Sequence, residues 1–208
     1  MASTTRAAGL GAVMRQILET QPTIPGGISD TKSNYRIDAK ESSLLSVVRE
    51  VIAVCTKSEH TQNGVEQIGF HFRLFCVIGE RRSVELQTFR LSTATGICTT
   101  LILDRNYKST NKNLIDEHFL KCTEEREYMV KDIVDYLLFD KKRYKFLFDC
   151  ATGSGCRHWC NVVVKDLEDF GLFAEGTSQA MVAWGDGVAE RYPDHMSIPA
   201  TTGVFYED

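Results

Sequence analysis

With 208 residues, 43% of them hydrophobic and 25% charged, the chain has the composition of a folded domain with a substantial core. Its net charge of −4, with basic runs no longer than Arg81-Arg82 and Lys141-Lys142-Arg143, argues against a general nucleic-acid binder. No segment approaches the ~18 continuous apolar residues that cross a bilayer, and Gly9–Leu18 is broken by Arg15 and Gln16, unlike a secretory signal. The cysteines number seven, an odd count without regular spacing, several of them inside apolar patterns. They read as buried or reactive thiols of a reducing compartment, so a cytoplasmic location is expected.

In chain order, residues 1–46 begin with small residues and then carry Pro22, Pro25, Gly26 and Gly27. They are expected to be a mobile segment with at most a short helix around Gly11–Glu19. Residues 47–208 are expected to form a single α+β domain. Val48–Thr56 predicts the first strand, and the polar stretch Ser58–Gly64, ending in Asn63-Gly64, predicts a hairpin turn. Gln67–Ile78 and Ser83–Arg90 follow as strands about the turn Gly79–Arg82. Ile97–Leu103 is the fourth strand of an antiparallel meander. Asn106–Asn113 reads as a polar loop and Asn113–Cys122 as a short helix.

In Arg126–Phe139, the apolar residues Met129, Val130, Ile133, Val134, Leu137 and Leu138 recur at helical spacing. Tyr144–Phe148 is a short strand. A helix then starts near Cys156, runs to about Phe170 and is closed by Gly171. Thr177–Tyr192 predicts the last helix, stopped by Pro193, and Thr202–Tyr206 a terminal strand. The expected fold is α+β, an antiparallel sheet of four to six strands with helices on one face.

The run Thr152-Gly153-Ser154-Gly155-Cys156-Arg157-His158-Trp159-Cys160 is the stretch that suggests chemistry. A thiol on the first helical turn meets unpaired backbone N–H groups and the positive end of the helix dipole, and both favour the nucleophilic thiolate. Gly155 lets backbone N–H groups approach a developing oxyanion. At 100° per residue, Cys156, Cys160, Val163, Leu167 and Phe170 share one helix face, while His158 falls nearly opposite Cys156 and is a poor base for it.

His71, inside a strand, is the candidate base. Alternation puts His71, Arg73 and Phe75 on one face and Phe70, Phe72, Leu74 and Cys76 on the other. On the next strand Gln87 or Glu85 would orient the imidazole, with Gln87 preferred because Glu85 lies nearer the turn and is expected to be solvated. Arg73 or Arg157 would bind a substrate carboxylate, and Trp159 would shape a pocket wall.

A strand histidine, a polar residue on the next strand and a cysteine opening a later helix resemble the circularly permuted papain-like enzymes: the NlpC/P60 and lecithin-retinol acyltransferase-like group and the permuted PPPDE peptidases. Gly155-Cys156-Arg157-His158-Trp159 has the Cys-x-His-aromatic shape of the acyltransferases, and the resemblance spans roughly His71 to Phe170. It departs where no second histidine follows His71 at the usual dozen residues and where the acyltransferases carry a membrane anchor. The stretch Gly153-Ser154-Gly155-Cys156-Arg157 with Trp159, preceded by a helix and Arg143-Tyr144, is also similar to an uncharacterised family of fungal proteins.

The permuted-papain resemblance implies acyl transfer: amide or ester cleavage, or acyl transfer or cyclisation, on a small molecule or peptide. Cys156 would be the nucleophile, His71 the base and Gln87 its orienting group, with no cofactor.

Competing readings come from the same residues. Free cysteines are among the most buried side chains, so Cys156 also reads as a packed thiol. Cys150, Cys156, His158 and Cys160 offer zinc-ligand types but no Cys-x2-Cys knuckle. Gly153-Ser154-Gly155 precedes a helix but lacks the Gly-Lys-Ser/Thr of a phosphate loop. A non-catalytic alternative keeps the fold as a scaffold or as a ligand-binding module lined by Phe75, Trp159 and Trp184.

Overall fold

A computed structural model describes residues 34–62, 65–91, 95–106, 113–149, 152 and 154–206. The helix expected at Gly11–Glu19 lies outside them, as do Asn63-Gly64, Cys150 and Gly153 of the motifs above.

The described chain is α+β. A six-stranded sheet has the order β1-β5-β4-β3-β2-β6. Its strands are β1 (Tyr35–Ile37), β2 (Glu50–Gln62), β3 (Val65–Gly79), β4 (Arg82–Arg90), β5 (Cys98–Arg105) and β6 (Leu114–Lys121). Every pairing is antiparallel except β1 against β5. A two-stranded ribbon joins β7 (Phe146–Leu147) to β8 (Val204–Phe205). The helices are α1 (Glu41–Leu44), α2 (Val130–Asp135), α3 (Cys156–Asp169) and α4 (Thr177–Glu190), and α2 continues into a π-helical turn at Tyr136–Asp140.

The meander of β2 to β5 follows the period-2 patterns. The β2–β3 ladder continues to the pair Gln62–Val65, so polar residues 58–62 are strand where a turn was expected. Backbone pairing along a long hairpin outweighs their composition. The N-terminal boundary also moves. Tyr35–Ile37 pairs with Thr100–Ile102 and α1 follows, so residues from Asn34 onward belong to the fold rather than to a mobile segment.

Leu114–Lys121 is a correction: a strand, not a helix. Its eight residues carry too few apolar positions to fix a period, and the open edge of β2 recruits them, aligning Glu50 with Lys121 and Val51 with Leu120. The helix expected from Arg126 starts later. Met129 is still extended and bridges Val47, and the Asp132 carboxylate accepts the Met129 N–H at 2.9 Å.

The main core lies between the sheet and the helices. Val51, Ala53 and Cys55 of β2, Phe72, Leu74 and Cys76 of β3, and Val84 and Leu86 of β4 pack in one cluster with Ile133, Leu137, Trp159, Cys160, Val163, Leu167 and Met181 of the helical layer. Fully burying side chains of this size contributes about 1.5–3 kcal/mol each. The alternate residues Ile52, Val54, Phe75 and Val77 form a second, smaller cluster. Period-2 geometry assigns that cluster to the opposite face of the sheet, away from the helices.

Candidate functional site

The opposite face carries the polar site. Phe72 sits in the helix-side core and its ring meets Trp184 of α4 edge-on at 5.7 Å. Its neighbours His71 and Arg73 therefore point the other way. Register completes the arrangement: Phe75 pairs with Glu85, Leu74 with Leu86, Glu85 with Leu103, and Ser83 with Arg105. His71, Arg73, Phe75, Ser83, Glu85, Gln87, Leu101, Leu103 and Arg105 thus share one face.

His71 and Gln87 are brought together as the sequence suggests, with His71 Nε2 2.8 Å from Gln87 Oε1. An amide oxygen only accepts, so Nε2 carries the proton and Nδ1 keeps a lone pair. Burial, then the Arg73 charge, pushes the His71 pKa down from 6.5 to about 4, against the opposing Gln87 bond and Glu85 charge. The imidazole is neutral at pH 7 and is an acceptor at Nδ1.

Glu85 departs from expectation. It is 0% exposed rather than solvated, and its two oxygens hold two arginines. Arg73 Nη1 donates to Oε1 at 2.9 Å and Arg105 Nε to Oε2 at 2.5 Å. Arg73 Nη2 also reaches Thr56 Oγ1 at 3.3 Å, and its guanidinium lies 5.5 Å from the centre of the Phe75 ring. Arg105 was missed because the fourth strand was cut at Leu103. Extending the alternation of Leu101 and Leu103 by one step places it on this face. Arg73 Nε and Ser83 Oγ are buried without a hydrogen-bond partner.

Cys156 lies on the other side of the sheet. Its thiol packs under β3, accepting from the Phe72 N–H at 3.5 Å and facing the Phe70 carbonyl at 3.8 Å. The Cys156–His71 pair expected from the sequence is not formed, because β3 stands between the two side chains. Cys156 is 7% exposed. Burial pushes its pKa up, outweighing the hydrogen bond from Phe72 N–H and the Arg157 charge. Burial pushes Cys55 up to about 12 and Cys160 well above the usual thiol range, and the neighbouring Cys156 raises both further.

Iodoacetamide at pH 7 is therefore expected to label Cys156 in the native protein more slowly than a free thiol. Tryptic mass spectrometry measures this, and labelling that is fast below pH 7 would contradict the raised pKa.

The neighbouring candidates serve packing. Gly155 precedes α3 at φ 154°, and a Cβ there would stand 3.2 Å from the Phe146 and Phe148 rings. The glycine lets the helix start close to this aromatic pair. Arg157 is not on the Arg73 face. It donates to the Gly185 carbonyl at 2.9 Å and to the Ser197 carbonyl, with Asp186 at 3.7 Å, tying α3 to α4 and the C-terminal segment. Trp159 is in the core, its Nε1 donating to the Arg143 carbonyl at 2.8 Å. His158 is half-buried near Phe146 and Phe205, not on open surface.

Phe75, Trp159 and Trp184 do not line a common pocket: Phe75 belongs to the far face, and Trp184 stacks on His118 at 5.7 Å. The loop before α3 is set by Asp149, which the sequence reading did not single out. Its Oδ2 accepts from Thr152 N at 2.7 Å and Thr152 Oγ1 at 2.6 Å. Among the described residues no group of three or more His, Cys, Asp or Glu side chains could hold a metal ion. Among them also, no helix is long and apolar enough to cross a membrane.

Fold and site together define an α+β domain with its helices on one side of a mostly antiparallel sheet and, on the other, a buried carboxylate held by two arginines beside a neutral histidine. Residues 51–206 match the family described as domain of unknown function DUF7770, and the chain belongs to it. Neither the curated proteins nor the solved structures give a match.

Proposed function

We propose that the domain is a ligand-binding module whose small-molecule ligand sits on the sheet face of His71, Arg73, Glu85, Gln87 and Arg105. The observation that carries the reading is the pair of buried donor-bearing groups on that face, Arg73 Nε and Ser83 Oγ, that lack a partner. A buried polar group without a hydrogen bond costs about 1–3 kcal/mol, and a ligand that supplies acceptors recovers it. The neutral His71 adds an acceptor, so the face can read both acceptor and donor groups of one molecule.

The acyl-transfer reading, with its permuted papain-like fold, needs a base for Cys156 other than His71. The groups that shift the Cys156 thiol are Phe72, Arg157 and its own backbone, and none of these takes a proton at neutral pH. The ligand-binding reading has no such requirement.

The test is a fragment-library titration of the full chain followed by two-dimensional amide NMR. Hits should shift the amides of Arg73, Glu85, Gln87 and Arg105. Shifts confined to Cys156–Trp159 would favour the thiol site, and a face left unperturbed by every fragment would sink the binding reading.

A further inference from the structure

We propose that the Arg73–Glu85–Arg105 cluster recognises the carboxylate of a small acid with an apolar body, an aromatic or short aliphatic carboxylic acid in its ionised form. The inference rests on the ligand-binding reading and adds the chemistry of the ligand.

Charge comes first. Two guanidinium groups share the single Glu85 carboxylate, and His71 is neutral, so among the described residues the cluster keeps one positive charge in excess. The excess lies on the partly exposed Arg105, at the edge of a buried carboxylate, and a monoanion is its complement. A divalent cation would add to the excess, and a phosphate dianion would overshoot it.

Donors come second. Arg105 engages Glu85 through Nε, and its side chain is 35% exposed. Among the described residues its terminal nitrogens have no partner, and a planar carboxylate fits such a fork. Ser83, the cross-strand partner of Arg105, is 1% exposed and its Oγ is unpartnered. A hydroxyl so deeply placed on the cluster's own face points to an acceptor that the protein does not supply.

The apolar body follows from the same strand. Leu101 and Leu103 precede Arg105 on this face, and Phe75 lies beneath Arg73. These side chains are buried, so the surroundings that the ligand's body would meet beside Arg105 are apolar.

Isothermal titration of the full chain with sodium benzoate, in a buffer free of carboxylates, tests the proposal. Benzyl alcohol and inorganic phosphate are the comparison probes. Benzoate should bind one to one, and benzyl alcohol and phosphate should each bind at least about tenfold more weakly, the usual worth of one charge-assisted bond. Arg105→Gln should weaken benzoate by about tenfold, and Ser83→Ala, which removes one hydroxyl, by a few-fold.

Benzyl alcohol binding as tightly as benzoate, or phosphate binding more tightly, would overturn the carboxylate class and leave ligand binding intact. Benzoate failing to bind while fragments still shift the Arg73 and Arg105 amides would do the same. Benzoate bound equally well by wild type, Arg105→Gln and Ser83→Ala would overturn the site itself.

Discussion

Glu85→Ala is expected to destabilise the fold by about 3–5 kcal/mol, the usual cost of removing one partner from a buried ion pair. Glu85 is fully buried and is the shared counter-charge of Arg73 and Arg105, whose side chains are 15% and 35% exposed. Arg105 can turn toward water, which places the loss at the lower end of that range. Arg73 cannot, because its guanidinium is held between Thr56 and the Phe75 ring.

Urea denaturation measures the effect as a fall in midpoint at constant slope. The double variant Arg73→Met, Glu85→Leu should recover much of the loss, since packed apolar side chains replace a buried pair at little cost. A loss under about 1 kcal/mol would mean that the pair behaves as a surface one.

Gly203→Ala is expected to release the C-terminal strand. A Cβ at Gly203 would overlap the Phe146 ring and the Leu147 carbonyl oxygen. Backbone on that side leaves the chain no alternative but to move away. The anchors at risk are the Phe205 ring 4.6 Å from Phe146, the Arg143 guanidinium 4.8 Å from the Phe205 ring, and the bond from Asn34 Nδ2 to the Tyr206 hydroxyl at 2.6 Å. Hydrogen exchange should show the Tyr206 amide, bonded to the Lys145 carbonyl at 3.2 Å, losing protection while α3 keeps its own. The global loss should be about 2–3 kcal/mol, typical of overpacking. Unchanged protection at Tyr206 would show that the strand is not held by this contact.

Much of the fold was legible because period decided it. Cys156, Cys160, Val163 and Leu167 announced the α3 face, and Gly171, at φ 88°, announced its end. Gly185 and Gly187 did not stop α4, since packing outweighs a propensity cost of about 1 kcal/mol per glycine. The β6 strand was illegible because its conformation comes from β2 across the sheet rather than from its own eight residues.

The candidate site was half legible. Alternation placed His71, Arg73 and Gln87 on one face correctly, and the same rule separates them from Cys156 once the helices are known to pack under Phe72. The α3 face alone could not say which side of the sheet it covers. Glu85 reads as solvated beside its turn because one of the two arginines it holds, Arg105, lies two residues beyond the strand end that the pattern predicts.

The strand order carries a consequence for how the chain assembles. Strands β2 to β5 each lie beside their neighbour in sequence, so this meander can zip through short loop closures as soon as it has been synthesised. Its β2 flank stays open until β6, made after β5, crosses back past three strands to reach it. Closing that longer loop adds little free energy but delays completion. In the interval a nascent chain presents the unpaired backbone of Val51–Cys55, an apolar, sticky flank that another strand could capture. On the ribosome, β6 would therefore act as the segment that ends the chain's exposure to aggregation.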